Sequence, residues 1–416
     1  MIKKIVVSAC LLLSLVSFAQ EGTSSPYSFY GIGDVRFRGT LENRSMGEIA
    51  IEQDSIHMNL QNPASYANLK LTTFTLGGTQ ATTKLKTDTE TANARRTTLD
   101  YLAVGLPLGK WGVGFGLIPY SSVGYKISSV SDDPAVNNRR FNGSGGMNKA
   151  FLGVGYKITP NFNIGADVSY NFGKIETNNF EYITDISIGT RELNTVDLSG
   201  VNFNLGMMYK TKINKKTSFF SSVNYSLEST LKTENTRNIS TALYNSNFDL
   251  SIVDVLDDVK TEKNFKIPSK YTAQAGIGEA RKWLVGVGYT FQGAGSLDNS
   301  YNSLDNVTYE KHSKYSIGGY YIPNYNSFSS YAKRLVYRAG FRFENTGLVI
   351  NSEPIEDMAL TVGLGMPLTG TFSNVNIGLE FGKRGTTAAN LVEENYANVS
   401  VSFSLNERWF EKRKFN

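Results

Sequence analysis

Arg338 and Arg342 stand on either side of Gly340. Side chains alternate across a strand, so in an extended segment both guanidinium groups share one face. Asp167 and Glu380 fall on the glycine-rich and polar face of their own segments. A guanidinium group pairs well with a carboxylate, so two partners are open for the arginines. One is the carboxylate of a bound ligand. The other is an acid of the chain's own N-terminal stretch, such as Glu48, Glu52 or Asp54. The second is favoured, because charges that face a filled interior need partners.

Other reactive chemistry is sparse. The chain has two histidines, His57 and His312, and neither has Ser, Asn or Asp partners at a recognisable spacing. No metal cluster, cysteine pair or phosphate-binding glycine loop occurs in the sequence. An enzyme, a cofactor and a metal site are therefore not expected. Lysines and arginines are scattered among acids and the net charge is only +5, so nucleic acid is not an expected partner.

The elements that must position these charges read as strands. Trp111, Val113, Phe115 and Leu117 alternate with Gly112, Gly114 and Gly116 after the turn Pro107-Leu108-Gly109-Lys110. One face is bulky and apolar, and the other has no side chains. Phe162, Ile164, Ala166, Val168, Tyr170 and Phe172 repeat the pattern, as do Val399, Val401, Phe403 and Leu405. Such repetition suits an outer face against lipid and an inner face against a lumen. Mean hydropathy is −0.25, too low for a bundle of membrane helices. Aromatics make up 12% and glycines number 39, a mixture that fits interfacial girdles and tight turns of a barrel.

Residues 1–19 read as a secretory signal: Lys3 and Lys4, an apolar run, then Ser17-Phe18-Ala19 as a small-x-small cleavage site. Cys10 leaves with it, and the mature chain has no thiol chemistry. Residues 20–68 lack a strand pattern. Alternating segments follow at 69–79, 97–106, 111–127, 148–158, 161–175, 196–211, 218–231, 270–280, 283–291, 314–322, 334–344, 357–366, 373–382 and 396–405. Mostly short connections alternate with long polar ones, the asymmetry of an outer-membrane barrel. The prediction is an all-β, antiparallel transmembrane barrel of about 14 strands over residues 69–405. An even count puts both chain ends on the short-turn side, which in an outer membrane is the periplasm. The longest expected loop, 232–269, carries Leu250, Val253, Leu256 and Val259 at a spacing of three, a pattern for a short amphipathic helix at the mouth.

Arg44-Ser45-Met46-Gly47-Glu48-Ile49-Ala50, Gln53-Asp54-Ser55 and Asn62-Pro63-Ala64 together resemble the N-terminal segment of the FadL/OmpP1/TodX transporters. The resemblance implies a fourteen-stranded barrel with residues 20–68 folded inside as a hatch, anchored at Asn62, Pro63 and Ala64. The plain alternative for that motif is an Asn-Pro turn. The chain departs from the enterobacterial pattern at Ser65, where glycine is usual, and in its tail, residues 406–416. The family implies uptake of hydrophobic small molecules, of long-chain fatty acid or hydrocarbon type. The implied exit is sideways into membrane lipid, through a gap made by a kink in the third strand. Gly116 and Pro119 are the residues here that could break that strand, since proline cannot donate to the ladder. The alternative for Pro119 is a place near the outer rim, where pairing ends anyway. A rival reading is a non-transporting scaffold in a larger outer-membrane secretion or protein-assembly complex. Its docking surfaces would be the Tyr- and Ser-rich connection 323–333 and the C-terminal tail, with Trp409-Phe410 and Lys412-Arg413-Lys414.

Overall fold

The computed structural model describes residues 22–131, 136–184, 186–245, 249–295 and 306–409. The expected signal at 1–19 and most of the tail lie outside these residues. The described chain is almost wholly antiparallel strand, and none of its helices is long and apolar enough to cross a membrane.

Fourteen strands among the described residues close into one barrel. They are β1 (Thr72–Lys86), β2 (Thr91–Leu108), β3 (Trp111–Ser129), β4 (Asn138–Lys157), β5 (Phe162–Tyr182) and β6 (Ile188–Lys212). β7 comes in two pieces, Ser218–Ser226 and Ser229–Tyr244, and so does β8, Leu250–Ile267 and Lys270–Glu279. β9 (Trp283–Gln292) is followed by β10 (Val307–Tyr309 and His312–Tyr321), β11 (Val336–Ile350), β12 (Glu353–Pro367), β13 (Asn374–Arg384) and β14 (Glu393–Glu407). Closure is a fifteen-residue ladder between β14 and β1, from Glu393 opposite Lys86 to Glu407 opposite Thr72. Each of the fourteen expected segments falls on one of these strands.

Alternation decides which face is which. Trp111, Phe115 and Leu117 point outward and are exposed, while Gly112 and Gly114 point inward and are buried. The same holds on β5, where Val168, Tyr170 and Phe172 are exposed and Asp167, Ser169 and Asn171 are buried. Apolar rows on the outside and polar or glycine rows on the inside are the pattern of a lipid-facing barrel.

The strands run well past the expected segments at the long-loop end. Residues 87–90 alone join β1 to β2. The expected loop 232–269 is instead a long hairpin, and its expected amphipathic helix is strand β8. The reason is local. Register shifts between Ile252 and Asp254 and between Val255 and Asp257 leave Val253 and Leu256 as extra residues in the ladder. Two β-bulges inserted into a period of two give apolar residues a spacing of three, which imitates a helix.

Residues 22–71 lie against the inner face of the barrel. Ile49, Ile51, Met58, Leu60 and Tyr66 are almost wholly buried. Inward glycines make the room. A Cβ at Gly318 or Gly340 would fall on the backbone of Met46 and Gly47, and one at Gly112 would fall on the carbonyl of Tyr66. Farther toward the long loops, Phe29 meets Tyr125 edge-on at 5.1 Å, within an apolar cluster that includes Ile32, Val123 and Met147.

Candidate functional site

Asn62 caps the 3₁₀ turn Pro63–Asn68: its side-chain oxygen accepts from Ala64 N at 3.0 Å. Pro63 stands at the first helical position, where its missing N–H costs nothing. The Asn62 amide nitrogen then reaches the wall, donating to Ser222 Oγ at 2.9 Å, Val223 O at 3.0 Å and Met207 O at 3.1 Å. A Cβ at Gly206 would overlap the Asn62 side chain, and one at Gly165 would overlap Pro63 and Ala64. Ser65 uses its hydroxyl, donating to Asn62 O at 2.7 Å. The motif is thus a cap and a wall contact at once.

The inward charges converge on the N-terminal segment. Arg38 Nη2 is 2.6 Å from Asp167 Oδ2, and Asn204 Nδ2 donates to the other Asp167 oxygen at 2.6 Å. Arg44 Nε is 2.8 Å from Glu380 Oε2, and Arg384 Nη1 is 2.8 Å from Asp34 Oδ1. Arg342 is the hub, 2.9 Å from Glu380, 3.1 Å from Asp357, 3.4 Å from Glu344 and 3.7 Å from Glu48. Lys314 also holds Glu48. Arg338 behaves differently. It donates to Asn376 Oδ1 at 3.0 Å, and Asn376 donates to Glu42 Oε1 at 2.9 Å, so its link to the segment is relayed.

Of the three acids named for the arginines, Glu48 meets Arg342. Glu52 accepts from Tyr320 OH at 2.9 Å and Asp54 pairs with His57 at 2.7 Å. Sequence reasoning missed Arg38, Arg44 and Lys314. The cluster Arg36, Arg38 and Arg44 in the stretch without strand pattern was the available signal. Between segment and wall a cavity of about 370 Å³ remains, lined by Arg38, Lys149, Lys270, Lys314 and Glu344 among others.

Pro119 marks a break in the wall. β2 and β3 pair only from Leu102 opposite Leu117 down to Leu108 opposite Trp111. Above that, β3 keeps β4, with a register shift between Pro119 and Ser121, and loses β2. The two-residue strand Asp34–Val35 pairs instead with Ser122 and Ser121. Gly116 sits in the ladder just below the break, opposite Ala103 and Phe151, where a Cβ would overlap the Leu102 carbonyl. A second cavity of about 470 Å³ lies behind the gap, bordered by Phe37, Arg44, Leu99, Tyr101, Pro119 and Met147.

The family model described as BamG matches residues 1–416, the whole chain. The chain belongs to the BamG family. No curated protein matches it in sequence. Solved structures share its architecture. The BamG-family barrel aligns with the Pseudomonas putida toluene transporter TodX at 16% identity and a TM-score of 0.60, covering 91% of this chain and 100% of the other. It aligns with the CymD monoaromatic hydrocarbon channel at 12% identity and a TM-score of 0.55, covering 92% and 100%. A Pseudomonas aeruginosa FadL homologue gives 11% identity and a TM-score of 0.53, covering 90% and 98%. At these identities the likeness is one of fold. The FadL/OmpP1/TodX resemblance is therefore carried by architecture, while in sequence this BamG barrel matches a family of another name.

Proposed function

We propose that this BamG-family chain is an outer-membrane barrel, sealed by its own N-terminal segment as a hatch, that serves as a scaffold subunit of a larger outer-membrane assembly. The reading assigns it no catalysis and no cofactor, and it puts the short-turn end in the periplasm. The carrying observation is the ionic lock. Arg38, Arg44, Glu48 and Asp34 tie the segment to strands on several sides of the barrel. The space left between them sets Arg38, Lys149, Lys270, Lys314 and Glu344 beside tyrosines and aliphatic side chains, and an apolar molecule passing those charges would strip water from them without replacing their partners. The short-turn end offers a surface of another kind: Phe328 is fully exposed at the tip of the connection 323–333, between Tyr325 and Tyr331. Three exposed aromatics thus share one turn, and aromatic side chains are enriched among the residues that anchor interfaces. The C-terminal tail is the other candidate for docking.

The wall gap at Pro119 favours a second reading, passive uptake of hydrophobic molecules of fatty acid or hydrocarbon type with lateral exit into membrane lipid. TodX and CymD are described as a toluene transporter and a monoaromatic hydrocarbon channel, which supports that class of cargo. A greasy ligand gains by passing from water to lipid, and a side exit keeps it out of the periplasm. Purification from native membranes in mild detergent separates the two. Stoichiometric protein partners support the scaffold; a chain that comes alone with bound lipid-like molecules supports uptake.

A further inference from the structure

All three tryptophans of the chain directly follow a cation: Lys110-Trp111, Lys282-Trp283 and Arg408-Trp409. All three pairs stand at the short-turn end, at the start of β3, at the start of β9 and just after β14. The connections of that end are 109–110, 158–161, 213–217, 280–282, 322–335 and 368–373. They carry Lys110, Lys215, Lys216, Arg281, Lys282, Lys333 and Arg334, and no Asp or Glu. The other end is opposite in sign. Its connections 87–90, 130–137, 183–187, 245–249 and 293–306 carry acids and no Lys or Arg. Few acids stand near the basic end. Glu279 pairs with Lys282 at 3.2 Å, and Glu407 closes β14. Glu411 belongs to a tail that also holds Lys412, Arg413 and Lys414. Inside the lumen, Glu52 and Asp54 are taken by Tyr320 and His57.

Three neighbouring turns form an arc without acids. Lys157 N donates to Lys110 O at 2.8 Å, and Lys210 N donates to Asn161 O at 2.8 Å, so the β2–β3, β4–β5 and β6–β7 turns lie side by side. Residues 101–131, 134–166 and 198–227, which contain those turns, hold no Asp or Glu. Alternation turns Lys157, Lys210 and Lys212 toward the mouth, with Lys210 over the Phe220 ring at 5.1 Å. Lys110, Lys215 and Lys216 are exposed on the turns themselves, with no carboxylate within ion-pair distance among the described residues. Apolar and aromatic side chains share the arc. Trp111 faces outward with its ring 4.4 Å from that of Tyr156, Tyr209 is exposed on β6, and Leu108, Ile158 and Ile213 are exposed at the turns.

Those side chains fix the depth of the cations. Outward Trp and Tyr settle at the level of the lipid headgroups. The headgroup layer is about 5–8 Å deep on each side of the hydrocarbon core. A tilted strand advances by less than about 3.3 Å per residue, so Lys110, one step beyond Trp111, lies within that layer. The turn 213–217 carries Lys215 and Lys216 little farther, and a lysine stem lets the ammonium bend back while Ile213 keeps to the acyl boundary. An ammonium held at that depth meets lipid phosphate. A zwitterionic headgroup brings its own cation there, and an anionic one does not. A second copy meeting this end would set lysine against lysine. We infer that the rim carrying Lys110, Lys215 and Lys216 binds the headgroups of anionic phospholipid in the leaflet at the short-turn end. Such a site goes beyond the scaffold reading and exists with or without a protein partner.

The test offers the purified full chain an equal mixture of phosphatidylglycerol and phosphatidylcholine in mild detergent, and native mass spectrometry counts the lipids retained. Phosphatidylglycerol is expected to be kept about fivefold over phosphatidylcholine at low salt, a preference that falls as salt is added. The K110Q/K215Q/K216Q variant is expected to lose the preference and K110R/K215R/K216R to keep it, both with unchanged heat-dependent gel mobility. A second measurement places the lipid. In bilayers of the same two lipids, with bromine on the acyl chains of one at a time, a W283F/W409F variant leaves Trp111 as the reporter. Its fluorescence is expected to be quenched more by brominated phosphatidylglycerol than by brominated phosphatidylcholine. Equal retention of the two lipids, a preference that the glutamine variant keeps, or equal quenching of Trp111 by both overturns the proposal. If the wild type retains both lipids equally and the glutamine variant sheds a co-purifying acidic protein, the rim is a protein contact and the lipid site is overturned. A wild-type chain that comes without partners sinks the scaffold reading and leaves the lipid preference as it was measured.

Discussion

Glu380 is shared between Arg342, at 2.9 Å, and Arg44, at 2.8 Å, so one wall carboxylate joins a barrel arginine to an arginine of the N-terminal segment. All three side chains are mostly shielded from water, and Asn398 donates to the same carboxylate at 3.4 Å. Breaking a buried pair from one side leaves the other charge stranded, at about 3–5 kcal/mol. Glu380→Ala is therefore expected to loosen the segment, because it takes from Arg44 its nearest carboxylate and from Arg342 one of four, leaving Arg44 with Asp100 at 3.5 Å. Thermal unfolding should fall, and cysteines placed in residues 40–50 should become reactive to a water-soluble maleimide. Labelling as slow as in the unaltered barrel would show that the lock lies elsewhere.

Asn62 makes a second fastening, by hydrogen bonds alone. Asn62→Ala removes a cap and the wall contacts to Met207, Ser222 and Val223. The expected loss is about 1–3 kcal/mol, a cap plus buried groups left without a donor. Gly206→Ala attacks the same contact from the wall, since its Cβ would overlap the Asn62 side chain. The two changes together should cost less than their sum, read as hydrogen exchange over residues 58–68. Strict additivity would mean that Gly206 acts on something other than Asn62.

Much of this architecture was legible because a barrel writes its period into the chain. Trp111 to Leu117 and Val399 to Leu405 alternate without interruption, and so their strands were placed correctly. What period could not reveal was where strands stop. Residues 91–96 and 138–147 show no clean alternation of apolar and polar side chains, which reads as loop, yet they are held by ladders to β1 and β5. β8 misled for the opposite reason, since its bulges turned a strand's period into a helix's. Among the inward charges, position on the polar face found Asp167, Glu380, Arg338 and Arg342. It could not find Arg38 or Arg44, because they lie in a segment with no period of its own and only the folded lumen brings them to the wall.

Glu52, Asp54 and His57 make the fixed segment sensitive to pH. Burial, with the neighbouring Asp54 charge, pushes the Glu52 carboxyl up to about 7. Burial opposes ionisation of Asp54 as well, but His57 beside it wins and holds it low. Burial alone would lower the His57 pKa, and Asp54 at 2.7 Å raises it instead. Glu52 and His57 thus bind protons more tightly in the folded segment than in a loose one. Stability carried by a raised pKa is present at low pH and lost as pH rises. For Glu52 that loss runs from about pH 4.5, its ordinary value, to about 7; for His57 it begins above about 6.5. Exchange of the amides of residues 50–57 is expected to be faster at pH 8 than at pH 5.5 after correction for intrinsic rates. Glu52→Gln should flatten that difference. A segment more protected at pH 8 would reverse the assignment.

The aromatic tip at the short-turn end gives the scaffold reading its sharpest point of attack. Phe328 is fully exposed, while Tyr325 rests under Arg281 at 5.0 Å and Tyr331 under Arg334 at 5.1 Å. The two tyrosines are thereby braced by their own chain, and Phe328 has only what comes to it from outside. Asn324 N donates to Lys333 O at 2.8 Å across the base of the connection, so the tip can change without moving the strands. Phe328→Ser should leave heat stability within about 0.5 kcal/mol, as surface changes away from packed features do. An anchor residue at an interface, by contrast, costs about 2 kcal/mol or more when truncated, some thirtyfold in affinity. The expected outcome is a barrel as stable as before that no longer retains its partners in mild detergent. Partners held as firmly by the serine variant would move the docking surface away from this turn, and an unstable barrel would show that Phe328 packs within its own chain.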